Sequence, residues 1–302
     1  MCVRLLTRLA DILSEHKIVV APGAHDAMSA RIIEMMGFEV VYMSGFGTSA
    51  SMLGLPDVGL ISYEEMLWGL RKITNVVRIP VIADADTGYG NAINVVRTVE
   101  EYIKAGASGL HIEDQVAPKR CGHVEGKEVV SPEEMIGKIA AAIDSRNSLN
   151  RDFLVIARTD ALAIEGREKT LERLDLYAEA GADLMFVDGI KSEKDAEFFG
   201  KNSRRPLVYN MGGFAPKLAI AKIQELGNYK LVLLPTYVLR TAVDAMKNLL
   251  KKIRDEGIQV VRSSEIPSSK DFYEFVGFPK IRELEEKYLT ARTLKKKYQR
   301  ID

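Results

Sequence analysis

The chain has 302 residues, of which 28% are charged and 47% hydrophobic, and its 42 Lys and Arg balance its 42 Asp and Glu. A chain without net charge is not expected to cover nucleic acid or an anionic membrane, so we predict neither partner. No apolar run approaches the roughly 20 residues of a membrane-spanning helix, and no secretory segment is recognisable. Cys2 and Cys121 lie far apart in the sequence, which predicts a reducing, cytoplasmic location without a structural disulfide.

Short β-rich runs alternate with amphipathic helical segments along most of the chain. Strands are predicted at 18–21, 40–43, 81–84, 109–113, 154–158, 184–187, 207–210 and 231–234. Helices are predicted at 27–36, 63–76, 92–105, 132–147, 168–180, 193–199, 216–226 and 238–256. Eight such repeats predict an α/β fold, a closed (β/α)8 TIM-type barrel, as a single domain over residues 1–302.

Residues 263–302 follow the eighth repeat and are predicted as a C-terminal helical extension. A polar turn over 263–270 precedes a helix predicted at 272–298. The aromatic side chains of this extension need cover from water, either from a neighbouring subunit or from the barrel of the same chain. The sequence leaves both arrangements open.

Polar residues stand at the end of almost every predicted strand. They are Tyr42 and Ser44, Asp84 and Asp86, His111 and Glu113, Arg158 and Asp160, Asp188, Asn210 and Thr236. Catalytic groups of such barrels come from the carboxyl ends of the strands, and residues two apart on a strand share a face. We therefore predict an active site at this end of the barrel, in which His111 is a buried histidine with satisfied hydrogen bonds.

The segment Asp84–Gly90 is typical of a site for a hard cation. Two aspartates on one face precede glycines that let the backbone turn away, and Mg²⁺ is usually held by one or two carboxylates and water. We predict Mg²⁺ here, with Mn²⁺ as an alternative ion, and Glu113 as the holder of a metal-bound water. The competing interpretation is that an aspartate only caps the next helix. Asp57 follows a proline in a long loop and is either a turn residue or part of the same site.

A loop after the fourth strand concentrates Lys119, Arg120, Cys121 and His123 in five residues. Cations beside a thiol lower its pKa and make it a better acid or nucleophile. We therefore predict that Cys121 is a catalytic acid placed over the Mg²⁺ site.

The segment Lys119–His123 resembles the signature of the isocitrate lyase / phosphoenolpyruvate mutase superfamily. The similarity continues in the segments 22–24, 44–47, 54–57, 84–90, 109–115 and 157–161. In length the chain is most similar to the 2-methylisocitrate lyases of this superfamily. The resemblance implies a Mg²⁺-dependent barrel whose eighth helix is exchanged between the subunits of a homotetramer. It also implies retro-aldol-type cleavage of a 2-hydroxy acid such as 2-methylisocitrate into pyruvate and succinate.

The resemblance further implies roles for individual residues. Tyr42 would take the hydroxyl proton, and Cys121 would protonate the carbon released by bond cleavage. The implied metal ligands are Asp57, Asp84, Asp86 and Glu113. The implied substrate-binding residues are Ser44, Gly45, Phe46, Gly122, His123, Arg158, Asp188, Asn210 and Arg240.

Two features depart from the family pattern. Asp188 stands where the family usually has a glutamate, and the segment 210–216 is shorter than the pattern and lacks a threonine that would contact a substrate carboxylate. The substrate therefore stays open. Cleavage of 2,3-dimethylmalate or isocitrate and carboxyphosphonoenolpyruvate mutase-like chemistry are alternatives, as is a barrel that only binds a dicarboxylate.

Overall fold

Eight parallel strands close into a barrel in chain order in the computed structural model, which describes residues 8–15, 18–120, 126–260, 266 and 268–298. The strands are β1 Val19–Ala24, β2 Val41–Met43, β3 Val81–Asp84, β4 Gly109–Glu113, β5 Leu154–Thr159, β6 Leu184–Val187, β7 Leu207–Asn210 and β8 Tyr229–Leu234. The predicted (β/α)8 barrel is confirmed. Four strands (β3, β4, β6 and β7) begin and end at the predicted residues.

Helices connect the strands on the outside of the barrel and continue beyond β8. They are α1 Leu9–Glu15, α2 Ala27–Met35, α3 Gly45–Leu53, α4 Tyr63–Thr74, α5 Ala92–Lys104, α6 Pro132–Leu149, α7 Leu162–Glu165, α8 Arg167–Glu179, α9 Glu193–Asn202, α10 Ile220–Glu225, α11 Tyr237–Glu256, α12 Ser269–Val276, α13 Phe278–Tyr288 and α14 Ala291–Tyr298. The helices α1, α3 and α7 were not predicted.

The helix predicted at 272–298 is wrong, because this segment forms three helices. Gly277 ends α12 in a left-handed conformation with φ of 95°, which a glycine adopts without steric cost. Leu289 ends α13 in an extended conformation. The apolar spacing alone did not reveal these two breaks.

The strand period places the polar strand ends inside the barrel. Side chains two apart share a face, and the buried interior cluster contains Ile82, Ile156 and Val208. Two residues further along, the same faces carry Asp84, Arg158 and Asn210 at the carboxyl ends of the strands. The polar residues therefore continue the inward rows beyond the apolar core.

A helix closes the opposite end of the barrel. Leu9, Ile12 and Leu13 of α1 are buried in one cluster with residues that begin strands, among them Val19 and Leu184. The amino end is thereby filled with apolar side chains, so the polar chemistry is confined to the carboxyl end.

Two compact units divide the chain, residues 1–241 and 242–302, with the boundary inside α11. In the second unit none of the side chains described in α12, α13 and α14 is buried. The single domain over 1–302, the exchange of the eighth helix and the cover of the aromatic extension stay predictions. Among the described residues, no helix is long and apolar enough to span a membrane.

The close packing of α9 at Gly200 predicts that one added methyl group strongly lowers the stability of the protein. A Cβ at Gly200 would overlap the backbone carbonyl of Leu226, and Gly200 also accepts a hydrogen bond from Asn228 N–H at 2.8 Å. We expect Gly200→Ala to lower the free energy of unfolding by about 3 kcal/mol, measured by urea denaturation. Gly137→Ala is the control, because the nearest atom to its Cβ is 4.0 Å away. This second change should be neutral or stabilising by about 0.5 kcal/mol, and equal losses in both variants would contradict the argument.

Candidate active site

A cavity of about 290 Å³ opens at the carboxyl end of the barrel. Its lining is Tyr42, Ser44, Phe46, Asp57, Asp84, Arg158, Phe186, Asp188, Asn210, Gly212, Gly213, Pro235, Thr236 and Arg240. Nine of the predicted site residues are in this lining. The cavity therefore lies where the polar strand ends predicted an active site.

Asp84 ends β3 and is fixed by two backbone N–H groups. Gly45 N–H donates to Oδ2 and Asp86 N–H donates to Oδ1, each at 3.0 Å. The alternative that Asp84 or Asp86 caps the next helix is wrong, because the N-cap of α5 is Asn91. Burial by itself raises the pKa of Asp84, but the charges of protonated His111, Lys119 and Arg158 outweigh it and lower the pKa to about 2. Asp84 is therefore a carboxylate at neutral pH.

Asp86 and Asp57 share one cation, the ammonium of Lys119. Lys119 Nζ lies 2.9 Å from Asp86 Oδ1 and 2.6 Å from Asp57 Oδ1, and all three side chains are buried. Burial and repulsion from Asp84 and Asp57 raise the pKa of Asp86 to about 6 despite this cation. Asp86 also has a positive φ of 47°, a strained conformation of the kind that functional sites retain.

Glu113 is fully buried at the end of β4 and is poorly satisfied. Neither carboxylate oxygen has a hydrogen bond of good geometry among the described residues, although Oε2 lies 3.1 Å from Arg158 Nη1. Burial raises the pKa of Glu113 well above its ordinary value. A buried carboxyl group without full satisfaction fits a site completed by a ligand or water.

These carboxylates fit the chemistry of Mg²⁺, which prefers oxygen ligands and retains several waters. Asp84 with Asp86, Asp57 and Glu113 would hold the ion and its waters. Among residues 8–15, 18–120, 126–260 and 268–298, no three His, Cys, Asp or Glu side chains already form a metal cage. Lys119 lies against two of these carboxylates, Asp57 and Asp86.

Arg158 faces the cavity from β5 but is already surrounded by carboxylates. Its Nε and Nη2 donate to Asp160 at 2.9 and 3.2 Å, Nη2 donates to Asp188 at 3.2 Å, and Nη1 approaches Glu113. Phe186 lies under the guanidinium at 5.1 Å. The positive charge of Arg158 is therefore largely balanced within the protein.

Asp188 and Asn210 are joined in one chain of hydrogen bonds. Asn210 Nδ2 donates to Asp188 Oδ1 at 2.8 Å, and Asn210 Oδ1 accepts from Gly212 N–H at 2.9 Å. A Cβ at Gly212 would lie 2.8 Å from that same oxygen. Gly212 therefore permits the conformation in which Asn210 reaches Asp188, whose side chain is shorter than that of the glutamate usual in the family.

Tyr42 is bound to a histidine at the bottom of the cavity. Its hydroxyl lies 2.9 Å from His111 Nε2 and donates to Asp84 Oδ2 at 3.4 Å. The expectation of a fully satisfied His111 is wrong, because Nδ1 is buried without a partner among the described residues. Burial, followed by the charge of Asp84, raises the pKa of Tyr42 well above 10.

The start of α3 faces the cavity beside Asp84. Ser44 caps this helix and accepts from Gly47 N–H at 3.1 Å, while Gly45 N–H is used by Asp84. Phe46 N–H has no hydrogen-bond partner among the described residues. A helix start with a free N–H group suits an anionic ligand.

The family model for phosphoenolpyruvate phosphomutase matches residues 9–254. The chain is 44% identical to 2,3-dimethylmalate lyase of Eubacterium barkeri, covering 94% of this chain and 98% of the relative. It is 42% identical to 2-methylisocitrate lyase of Aeropyrum pernix, covering 89% and 86%. A crystal structure of 2,3-dimethylmalate lyase, a PEP mutase/isocitrate lyase superfamily member, matches with a TM-score of 0.86 and 35% identity over 94% of this chain and 95% of that one.

The chain belongs to the PEP mutase/isocitrate lyase superfamily. The resemblance found in its motifs is therefore confirmed, and so is the prediction of an enzyme of the lyase type. The predicted homotetramer and the cytoplasmic location stay predictions.

Three predicted site residues of this superfamily member, Cys121, Gly122 and His123, lie outside the described residues. The residues on both sides are well held. Gln115 accepts from Arg120 N–H at 2.9 Å and donates to its carbonyl at 2.8 Å, and Val116 N–H donates to Glu128 O at 2.9 Å. The described ends of the segment are thus held by hydrogen bonds within the loop that follows β4.

Sequence reasoning missed a buried network behind the site. Asp114 accepts from Thr159 Oγ1 at 2.7 Å, Tyr177 OH at 2.8 Å and Asp160 N–H at 2.9 Å. Arg173 completes the network and also donates to Val130 O at 2.9 Å. The sequence did contain a signal for this network. Glu113 and Asp114 are adjacent, so if Glu113 faces the barrel interior, the side chain of Asp114 must point away from it.

Because His111 is buried, we expect the folded protein to lose stability in acid. Burial lowers its pKa from 6.5 to about 4, so the unfolded chain binds this proton at a higher pH than the folded protein. The folded state should lose stability as the pH falls from about 6.5 towards 4, by about 2 to 3 kcal/mol from this group. Urea denaturation at pH 7 and pH 4.5 in EDTA should show a smaller difference for His111→Asn than for the wild type. The control is His25→Asn, at a half-buried site; an unchanged difference in His111→Asn would contradict the assignment.

Proposed function

We propose that this enzyme is a Mg²⁺-dependent carbon–carbon lyase that releases pyruvate from a substituted 2-hydroxy-2-methylbutanedioate. The observation that carries the proposal is that Asp57, Asp84 and Tyr42 line one cavity together with Arg240. Asp86 adjoins them, because it shares the ammonium of Lys119 with Asp57. The relatives named as lyases support the same reaction class. When bound, Mg²⁺ would supply Lewis-acid stabilisation for the hydroxyl and carboxylate oxygens of a 2-hydroxy acid.

The reaction moves one proton and one electron pair. A base takes the proton of the 2-hydroxyl, the C2–C3 bond breaks, and C2 becomes the keto carbon of pyruvate. The electron pair stays on C3 beside its carboxylate until an acid protonates that carbon. Cys121 stays our predicted acid on the resemblance.

Tyr42 is the proposed base, and its surroundings set a condition on that role. Its pKa lies well above 10 because of burial and the charge of Asp84, so at neutral pH it is a phenol that donates hydrogen bonds. Neutralising the charge of Asp84 would remove part of the repulsion that disfavours the phenolate. We therefore expect Tyr42 to act as a base only when positive charge stands beside Asp84.

The balance of charge favours a dicarboxylate substrate. Arg158 is held by three acidic side chains, whereas Arg240 lines the cavity and forms no ion pair with a carboxylate among the described residues. One end of the substrate would bind at the proposed Mg²⁺ site beside Asp84 and at the start of α3, and Arg240 would bind the distal carboxylate. A third carboxylate finds no further unbalanced cation in the described lining. This supports 2,3-dimethylmalate, which yields pyruvate and propionate, over 2-methylisocitrate, which carries an additional carboxylate.

The mutase-like alternative has less support. The resemblance to the family signature in Lys119–His123 includes Cys121, the residue that we propose as the acid of the lyase reaction. A phosphonate substrate followed by ³¹P NMR serves as the negative control for this chemistry.

The first test is release of pyruvate by the purified protein, followed with lactate dehydrogenase. With Mg²⁺ we expect turnover of a 2-hydroxy-2-methyl diacid, no turnover in EDTA, and a loss of about 10³-fold or more in Asp84→Asn, because transition-state charge stabilisation is lost. Cys121→Ser tests the proposed acid in the same assay. The lyase proposal would end if neither 2,3-dimethylmalate nor 2-methylisocitrate released pyruvate and isocitrate released no glyoxylate.

A second test separates the two substrate classes. We expect kcat/KM for 2,3-dimethylmalate to exceed that for 2-methylisocitrate by about tenfold or more, since each unpaired buried charge costs more than 1 kcal/mol. Arg240→Met should raise KM for the dicarboxylate by about tenfold or more, because a charge-assisted hydrogen bond is lost. A higher kcat/KM for the tricarboxylate would reject the dicarboxylate assignment and leave the lyase reaction standing.

A further inference from the structure

Lys119 has a placement that its position in the signature does not explain. Its side chain is only 5% exposed, and its ammonium lies 2.7 Å from Asp57 Oδ2 and 2.9 Å from Asp86 Oδ1. Sequence reasoning expected this cation to act on the thiol two residues further along. In the structure its ammonium binds two carboxylates that we propose for the metal site, and the thiol lies outside the described residues.

The backbone around Lys119 is built to hold this placement. Gln115 binds both the N–H and the carbonyl of Arg120 with its side-chain amide, at 2.9 and 2.8 Å. On the other side, a Cβ at Gly59, which has a positive φ, would lie 3.3 Å from Pro118 and 3.4 Å from Lys119 N. The segment that carries Lys119 is thus packed against the loop that carries Asp57.

An ammonium and a divalent cation would use the same oxygens here. Asp86 Oδ1 and both oxygens of Asp57 lie within ion-pair distance of Lys119 Nζ, and Asp84 stands beside Asp86. Two cations that share one carboxylate repel each other strongly in a buried site. Conversely, removal of the ammonium leaves buried carboxylates without a partner, which is strongly destabilising.

We infer that Lys119 is an internal counter-ion of the acidic cluster, which competes with the divalent cation for Asp57 and Asp86. Lys119 stabilises the cluster in the metal-free protein, and metal binding drives its ammonium away from these carboxylates. The residue therefore sets the metal affinity of the enzyme. The inference rests on the proposed Mg²⁺ dependence, and its tests do not require a known substrate.

Titration calorimetry with Mg²⁺ on EDTA-treated protein is the first experiment. We expect Lys119→Met to lower the Kd for Mg²⁺ by about tenfold or more, in the range of coupling measured between contacting groups. Lys119→Arg, which keeps the charge, should stay near the wild-type Kd. Lys119→Met should also have a lower Tm without metal and a larger rise of Tm on addition of Mg²⁺.

The matched control is Lys138→Met. Lys138 is also a buried lysine beside this site, but its ammonium donates to the Thr87 carbonyl at 3.2 Å and approaches Glu134. Its loss should lower Tm without changing the Kd for Mg²⁺ or the rise of Tm that Mg²⁺ produces. An equal change of Kd in both variants would show a general loss of packing and would overturn the inference.

Chemical labelling of the wild-type protein tests the same inference without a substitution. A short pulse of acetic anhydride, read out by mass spectrometry, should leave Lys119 largely unmodified without metal and label it faster with Mg²⁺. Lys138 is the internal reference, and its rate of acetylation should be the same with and without Mg²⁺. Unchanged protection of Lys119 at saturating Mg²⁺ would overturn the inference even if the substituted proteins do not fold.

The outcomes separate this inference from the proposed function. An unchanged or higher Kd in Lys119→Met rejects the competition, while Mg²⁺-dependent pyruvate release still supports the lyase. Mg²⁺ binding by Lys119→Met alone supports the competition. No binding of Mg²⁺ to either protein rejects both the competition and the Mg²⁺ dependence.

Discussion

The balance of buried charge at the carboxyl end of the barrel is the constraint on which the site depends. Among the described residues, acidic side chains lie against cations there: Asp57, Asp84, Asp86, Glu113, Asp160 and Asp188 with Lys119, Lys127 and Arg158. Buried ions are costly unless they are paired, so each cation fixes the relative position of the strand ends that it bridges. The surplus of negative charge is what a divalent cation would neutralise.

Further hydrogen bonds and ion pairs fix the positions of these charged side chains. Asp160 holds Arg158 and is itself paired with Lys127 at 3.0 Å, while its backbone N–H is bound by Asp114. Asp114 in turn binds Tyr177 on α8, so the strand ends are connected to the outer helices through hydrogen bonds. Supports of this kind keep catalytic groups in one geometry, which is what transition-state stabilisation requires.

Much of the fold could be predicted because its signals are local. Strand β6 and strand β7 were placed at the correct residues, since short apolar runs between turns have few other interpretations. The helix α3 was missed because Gly45–Leu53 begins with small residues and shows no clear apolar stripe. The residues that this helix buries are small or polar, so their spacing gives no signal in the sequence. The breaks at Gly277 and Leu289 were missed because the apolar spacing continues across them.

In the candidate site, the sequence predicted which residues face the cavity but not which charged groups pair with each other. The inward residues Asp84 and Arg158 were found because a strand places alternate side chains on one face, and this follows from the period alone. The partner of each charge could not be found in this way. Asp57 and Lys119 are 62 residues apart, and only closure of the barrel brings the loops that carry them together.

By itself, the sequence determined the eight repeats, the end of the barrel that carries the chemistry and the residue types available there. Tertiary structure alone decided that Lys119 binds the acidic cluster, that Arg158 is already balanced by three acids and that Tyr42 is bound to His111. The physical reason is the range of the forces involved. Periodicity and turn chemistry act between neighbours in sequence, whereas pairing of buried charges depends on distances that exist only once the strands have closed.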